Sequence, residues 1–165
     1  MSLKNIIATI TLACLSLSAH AAGAYGTVGF GPTSNWGTGF SLAGGLSNLT
    51  QLQLGTQKVP VSAEAGYVNF GSKNYWGWGA KSSAFYGAVA GTFDLQNKLS
   101  ANVKLGLAFR SYDVCVPGGC VSGTGSGLMF GAGLAYDLGS NLAVGADFRD
   151  FDGEGFFGIN GTVKF

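Results

Sequence analysis

The stretch LSANVKLGLAFR, residues 99–110, alternates between two kinds of residue over its whole length. Its odd-numbered positions carry Leu, Ala, Val, Leu, Leu and Phe, and its even-numbered positions carry Ser, Asn, Lys, Gly, Ala and Arg. A period of two residues predicts a β-strand, because successive side chains of a strand point to opposite faces. At about 3.3 Å per residue the stretch spans roughly 40 Å. That length is unusual for a soluble strand and is enough to cross a bilayer at a tilt of about 45°.

Seven further stretches either alternate in the same way or consist of apolar and small residues, and each predicts another strand. They are residues 24–31, 38–46, 59–70, 83–95, 127–137, 141–149 and 156–165. Eight such segments predict an all-β fold, an eight-stranded antiparallel up-and-down transmembrane β-barrel. Residues 47–58 leave two alternatives open, because the alternation fails at Leu49 and returns at Leu52. Either the second strand continues past a bulge, or this segment is a long turn.

The connections between the predicted strands differ in length. Residues 97–98 and 139–141 are short enough for tight turns, whereas residues 71–82 and 111–126 are predicted to form long loops. Short turns at one end and long loops at the other are typical of bacterial outer-membrane barrels.

The polar face of these strands consists mainly of small residues. Glycine accounts for 29 of the 165 residues, and only 10% of residues are charged. A soluble barrel, whose polar face meets water, would carry many more Lys and Glu side chains on its strands. Small side chains suit the interior of an eight-stranded barrel, which is just wide enough for side chains to fill. We therefore predict that the aliphatic face meets lipid and that the polar face lines the lumen.

Residues 1–21 have the features of a secretory signal peptide. Lys4 provides a positive start, residues 6–17 are largely apolar, and Ala19-His20-Ala21 is an A-x-A cleavage site. The apolar run is too short to cross a hydrocarbon layer of about 30 Å as a helix. We expect removal of this segment to leave residues 22–165 as an outer-membrane β-barrel domain.

Removal of the leader would leave a neutral chain with two cysteines and no histidine. The nine basic residues fall to eight, equal to the eight acidic ones, and the single histidine, His20, is lost. A neutral chain lacks the basic surface that nucleic acid requires, so we expect no nucleic-acid partner. In an exported protein, the pair Cys115 and Cys120 predicts a disulfide, which would close a small ring in the loop at residues 111–126.

Five charged residues occupy strand positions predicted to face the lumen: Glu64, Lys104, Arg110, Asp147 and Arg149. Isolated charges in such an interior would be costly, so we expect them to compensate one another. We predict that Glu64 pairs with Lys104 or Arg149. We also predict that Asp147 pairs with Arg110 or Lys104.

Aromatic residues cluster near the ends of the predicted strands, where the two bilayer interfaces would lie. The set comprises Tyr25, Trp36, Tyr67, Phe70, Tyr75, Trp76, Trp78, Phe109, Tyr112, Phe148, Phe151 and Phe165. We predict that these residues form two aromatic girdles.

Three stretches resemble the small eight-stranded outer-membrane barrels of the OmpA/OmpX and opacity-protein type. They are VSAEAGYVNFG (61–71), GLMFGAGLAYDL (127–138) and the terminal GTVKF (161–165). The resemblance covers essentially the whole chain after the leader, and it implies an interior carboxylate at Glu64, which stands in an E-x-G-Y context. It also implies that the outer-membrane assembly machinery recognises the terminal strand through Val163 and the final aromatic, Phe165.

These observations predict an integral protein of the outer membrane of a Gram-negative bacterium, with membrane lipids and the assembly machinery as partners. We expect a structural, envelope-integrity or adhesive role, with any host or surface ligand bound by the extracellular loops. The alternative is a narrow pore or solute channel. A third alternative is a lipid-modifying enzyme, but such barrels generally use a His beside a Ser, and the chain after residue 21 has no His. We therefore predict a protein that is not an enzyme and has no metal or other cofactor.

Overall fold

The computed structural model describes residues 23–75 and 78–165, and the regular structure in these ranges is entirely β-strand. The strands are β1 (Ala24–Thr33), β2 (Gly37–Leu54), β3 (Gln57–Tyr75), β4 (Trp78–Gln96), β5 (Leu99–Val116), β6 (Gly119–Gly139), β7 (Leu142–Phe151) and β8 (Gly155–Lys164). Each strand pairs antiparallel with its neighbours in the chain, and β8 pairs with β1. The sheet is therefore a closed up-and-down barrel, and the predicted fold class is confirmed. Within the described ranges, no helix has the length and apolarity needed to cross a membrane.

The alternation in residues 99–110 corresponds to the two faces of β5. Leu105 points outward and is 60% exposed, whereas Ala108 points inward and is buried. The same arrangement recurs around the barrel, where the large apolar side chains that are exposed include Val28, Phe30, Leu42, Val89, Leu128, Phe130, Leu134, Phe157 and Ile159. An apolar surface of this extent is the expected exterior of a barrel that lies in lipid.

The long loop predicted at residues 111–126 is instead a hairpin. β5 and β6 stay paired up to Val116 and Gly119, and polar residues face each other along the way, as Ser111 and Thr124 do. In the same way, β3 and β4 occupy most of residues 71–82. The loop predictions are wrong because these parts of the strands extend past the apolar band. Neither face needs apolar residues there, so no two-residue pattern marks the strand.

Residues 47–58 follow the bulge alternative. β2 continues to Leu54, and its register against β3 shifts between Leu46 and Thr50. Asn48 has a positive φ of 56° within this irregularity, a conformation that Asn tolerates better than most residues. The turn that follows contains Gly55, whose φ of 64° also lies in the left-handed region.

The strand order defines two ends of the barrel. The lower end contains the turns at residues 55–56, 97–98 and 140–141. The upper end contains the connections at residues 34–36, 117–118 and 152–154. The connection between β3 and β4, residues 76–77, lies outside the described residues.

Candidate functional site

Glu64 on β3 is buried in the lumen and is contacted from three other strands. Lys104 on β5 donates to both carboxylate oxygens at 2.8 Å. Tyr25 on β1 donates to Oε2 at 3.0 Å, and Tyr86 on β4 donates to Oε1 at 2.7 Å. Of the two cations predicted to pair with Glu64, Lys104 is the one in direct contact. Charge-assisted hydrogen bonds of this kind offset the cost of burying the carboxylate.

A second ion pair lies on β7, where Asp147 and Arg149 both point inward. Arg149 donates to Asp147 through Nε at 2.8 Å and through Nη2 at 3.2 Å. Its Nη1 donates at 3.0 Å to the Tyr86 hydroxyl, which links this pair to Glu64. Lys104 Nζ lies 3.9 Å from Asp147 Oδ2 and completes the ring of contacts. Two carboxylates and two cations thus form a neutral network in the lumen.

Arg110 is not part of this network. Of the two cations predicted to pair with Asp147, Lys104 is the one in contact, at 3.9 Å. The guanidinium of Arg110 lies near the upper end, 3.5 Å from Asp152 and 3.5 Å from Glu154. Arg110 follows Lys104 by six residues on β5, which is about 20 Å along a strand. Although both side chains point inward, they lie at different heights. Within the described residues, no three His, Cys, Asp or Glu side chains are grouped as metal ligands would be.

The hydroxyl groups that connect the charges are not among the residues predicted from the sequence. Besides Tyr25 and Tyr86, Ser41 on β2 accepts a hydrogen bond from Arg149 Nη2 at 3.3 Å. Tyr86 carried a usable signal, because the residues two positions before it and two and four positions after it on the same strand face are all alanine. A tyrosine among small inward-facing residues indicates a ring that crosses the lumen toward a polar partner.

Above the charge network, the lumen is filled by apolar side chains. Phe70, Met129, Phe151 and Phe156 are fully buried. The ring centroids of Phe70 and Phe151 lie 5.4 Å apart, and the Arg149 guanidinium lies 5.5 Å from the centroid of the Phe156 ring. We call this group of three phenylalanines and one methionine the aromatic plug.

The predicted aromatic girdles are therefore only partly correct. Phe70 and Phe151 belong to the plug, Tyr25 contacts Glu64, and Trp36 packs against the buried core. Tyr112 also points to the lumen side. The members of the predicted set that face outward are Tyr67, Phe109, Phe148 and Phe165. The side chain of Tyr75 and all of Trp76 lie outside the described part of the chain.

Below the charge network, a polar cavity of about 420 Å³ extends to the lower end of the barrel. It reaches Glu64 and Lys104, and hydroxyl and amide side chains line much of its wall: Thr27, Ser62, Thr92, Asn102, Asn160 and Thr162. Lys164 and Asp137 form an ion pair of 2.9 Å at this end. The lumen is therefore accessible from below and filled above.

The tip of the hairpin formed by β5 and β6 is closed by a disulfide between Cys115 and Cys120, as predicted. The turn between them contains Pro117 and Gly118, and Gly118 has a φ of 120°. Glycine adopts this conformation at little cost, which permits the tight connection.

The family comparison agrees with the barrel and its apolar exterior. The model for the outer membrane protein beta-barrel domain matches residues 7–165. The chain belongs to this family. It is an integral protein of the bacterial outer membrane. No curated protein sequence matches it.

Three solved structures have a fold similar to that of this chain. Ail, the attachment invasion locus protein of Yersinia pestis, superposes with a TM-score of 0.62 at 14% identity, over 88% of this chain and 100% of that one. The N-terminal barrel domain of Pseudomonas aeruginosa OprF gives 0.61 at 14% identity, over 88% and 100%. The outer membrane enzyme PagL gives 0.53 at 16% identity, over 86% and 99%. Identities this low establish a common fold and no common activity.

Proposed function

We propose that this outer-membrane barrel is a non-conducting envelope protein that acts through its upper surface, as a structural element or in surface interaction. The observation that carries the proposal is the aromatic plug, whose side chains are fully buried directly above the charge network. A solute that enters the lower cavity meets the bonded ring of Glu64, Lys104, Asp147 and Arg149, and then the plug. Opening a path would require the separation of packed aromatic rings as well as ion pairs.

We place the upper end outside the cell. Outer-membrane barrels have short periplasmic turns and longer extracellular connections. The lower end has two-residue turns at residues 97–98 and 140–141, whereas the upper end carries the projecting hairpin of β5 and β6. The disulfide at the tip of that hairpin suits an oxidising exterior.

Conductance in planar lipid bilayers tests whether the lumen is closed. We expect no stable channel current from the wild-type barrel. Glu64→Ala should also remain closed, because the plug above it is intact. Phe151→Ala with Phe156→Ala should introduce current, since both substitutions remove rings that fill the upper lumen. A defined ohmic conductance from the wild-type protein would refute the proposal.

The second candidate is a narrow pore, and one observation favours it. The lower cavity of about 420 Å³ has many polar lining residues, and Glu64, Lys104 and Asp147 of the charge network form part of its wall. On this alternative, wild-type current would be present and Glu64→Ala would change its magnitude or its ion selectivity.

We also propose that the protein is not an enzyme, despite sharing its fold with PagL. After loss of residues 1–21, the chain would have no His to activate a serine. The remaining bases that could assist a serine are lysines. Three of them line the lower cavity: Lys104 contacts Glu64, Lys164 contacts Asp137, and Lys98 lies in the turn between β4 and β5 at the lower end. Mass spectrometry of lipid A and phospholipids from cells with and without the protein should show identical profiles.

Export and assembly complete the proposal. Residues 1–21 would direct secretion, and Val163 with Phe165 would form the signal that the assembly machinery reads. Phe165 is 78% exposed and lies on the outer face, where another protein can reach it. N-terminal sequencing of the mature protein should begin near Ala22.

A surface-interaction role is supported by the projecting hairpin of residues 111–126. In one solved structure, the fold relative Ail is in complex with the heparin analogue sucrose octasulfate. We propose that the hairpin of this chain likewise contributes to contact with surface molecules. Replacing residues 111–126 by a short turn should abolish any cell-surface attachment that the wild-type protein confers, while the barrel itself remains folded.

A further inference from the structure

The upper end contains a second cavity, separate from the lumen network. It has a volume of about 320 Å³, near the lower limit of small-molecule sites, and lies between the connections at residues 34–36 and 152–154. Side chains from four parts of the fold line it: Asn35, Trp36, Ser82, Arg110, Tyr112 and Glu154. The Tyr112 ring lies across Gly123 of the neighbouring strand, which has no side chain to displace it.

The carboxylate of Glu154 is buried in this cavity and is only partly satisfied. The residue is 6% exposed. Ser82 donates to Oε2 at 3.1 Å, and Arg110 Nη1 lies 3.5 Å from the same oxygen. The other oxygen, Oε1, is buried and has no hydrogen-bond partner. A buried acceptor without a donor is costly, so a ligand that supplies an N–H group would gain a bond that the protein alone does not make.

The charges around the cavity favour a ligand with a positive charge. Arg110 is shared between Asp152 and Glu154, so two carboxylates face one guanidinium. Burial raises the pKa of the Glu154 carboxyl, as expected when a carboxylate lacks compensation. An anionic ligand would increase the excess negative charge, whereas a cation would neutralise it. Trp36 and Tyr112 add aromatic rings, which attract ammonium groups.

We propose that the upper cavity binds the primary ammonium group of a small amine-bearing molecule, with Glu154 as its counter-charge. A free amine and the amine of a lipid headgroup have this same chemistry. This inference adds a ligand class to the proposed surface-interaction role. It rests on that proposed function in one respect, namely that the upper end, where the cavity opens, lies outside the cell. It predicts a ligand opposite in charge to the sulfated sugar bound by Ail.

Ethanolamine and ethylene glycol test the proposal, because they are similar in size and differ in the ammonium group. Binding would be followed through the backbone amide signal of Gly153, which lies in the cavity wall, by NMR. The labelled barrel would be held in nanodiscs of phosphatidylcholine, which contains no primary amine. A second set of nanodiscs containing phosphatidylethanolamine would show whether the lipid headgroup occupies the same site and competes with the free amine.

We expect ethanolamine to bind at least about tenfold more tightly than ethylene glycol, the factor that corresponds to about 1.4 kcal/mol. Glu154→Gln should remove this preference. Asp113→Asn, which neutralises an exposed carboxylate at the same end, should retain it. If Glu154→Gln does not form a barrel with heat-modifiable mobility, Trp36→Phe replaces it and should weaken ethanolamine binding.

Three results would overturn the proposal: equal affinity for both probes, no saturable shift with either probe, or wild-type affinity in Glu154→Gln. With the substitute variant, unchanged binding in Trp36→Phe would do the same. Because the nanodisc leaves both ends of the barrel accessible, this experiment does not depend on orientation. Chemical labelling of the β5–β6 hairpin on whole cells tests orientation separately, so failure of one proposal is distinguishable from failure of the other.

Discussion

Replacement of Glu64 by Gln should destabilise the barrel strongly, although the two side chains have nearly the same shape. The substitution leaves Lys104 and Arg149 facing Asp147 alone, so the lumen network gains one uncompensated positive charge. Breaking a buried ion pair in this way typically costs about 3–5 kcal/mol. The side chain of Lys104 is 10% exposed to the lower cavity, and water there reduces the cost. We therefore expect a loss of about 3 kcal/mol, at the lower end of that range.

The measurement is equilibrium unfolding in urea with the barrel in lipid vesicles, followed by tryptophan fluorescence and by heat-modifiable electrophoresis. Lys164→Met is the matched control. Lys164 and Asp137 are 2.9 Å apart, nearly the same separation as Lys104 and Glu64, but their side chains are 52% and 43% exposed. An exposed pair contributes about 1 kcal/mol or less, so this variant should be close to wild type.

The double variant Glu64→Gln with Lys104→Met separates charge burial from packing. It removes one charge of each sign, so the network is again neutral. We expect it to be at least about 2 kcal/mol more stable than the sum of the two single effects predicts, a coupling within the range for contacting residues. Additive effects, or a cost for Glu64→Gln no larger than that for Lys164→Met, would contradict this account of the lumen.

Three further substitutions test other parts of the structure. Gly66→Ala should cost about 1–3 kcal/mol, because a Cβ there would lie 2.6 Å from the Tyr86 ring and displace its hydroxyl from Glu64, whereas Gly87→Ala has open space and should be neutral in the same unfolding assay. Cys115→Ser should speed proteolysis of the hairpin at residues 111–126 but leave the urea midpoint unchanged, because a ring of only a few residues constrains the unfolded chain weakly; a large shift in the midpoint would contradict this. Phe165→Ala should reduce assembly in cells while refolding into detergent stays near wild type, since the ring is mostly exposed and its backbone N–H still bonds Ala24; normal assembly in cells would remove the proposed signal.

The lumen is open in its lower half and filled in its upper half, and the composition of the polar face does not show this difference. Small residues of the polar face are present at both heights: Ala84, Ala88 and Ala108 pack with the plug, and hydroxyl residues line the lower cavity. The upper half is occupied by Phe70, Phe151 and Phe156, which come from β3, the upper end of β7 and the start of β8. Two of these phenylalanines were predicted to lie at the lipid interface, because a position near a strand end does not by itself show which face the side chain occupies.

The sequence by itself determined the number of strands, the inward or outward direction of most side chains, and the disulfide. These are local properties: a strand has a period of two residues wherever it lies, and Cys115 and Cys120 are close in the chain. The tertiary structure alone decided which inward side chains meet. Glu64 and Tyr86 are 22 residues apart, and Ser41 and Arg149 are 108 apart. Their heights in the barrel depend on strand tilt and on the register between neighbouring strands, including the shift between Leu46 and Thr50. The offsets between neighbouring strands add up around the barrel. The sequence therefore indicates which face of β5 Arg110 occupies but not its height in the barrel, because the face is set by the strand and the height by the closed barrel.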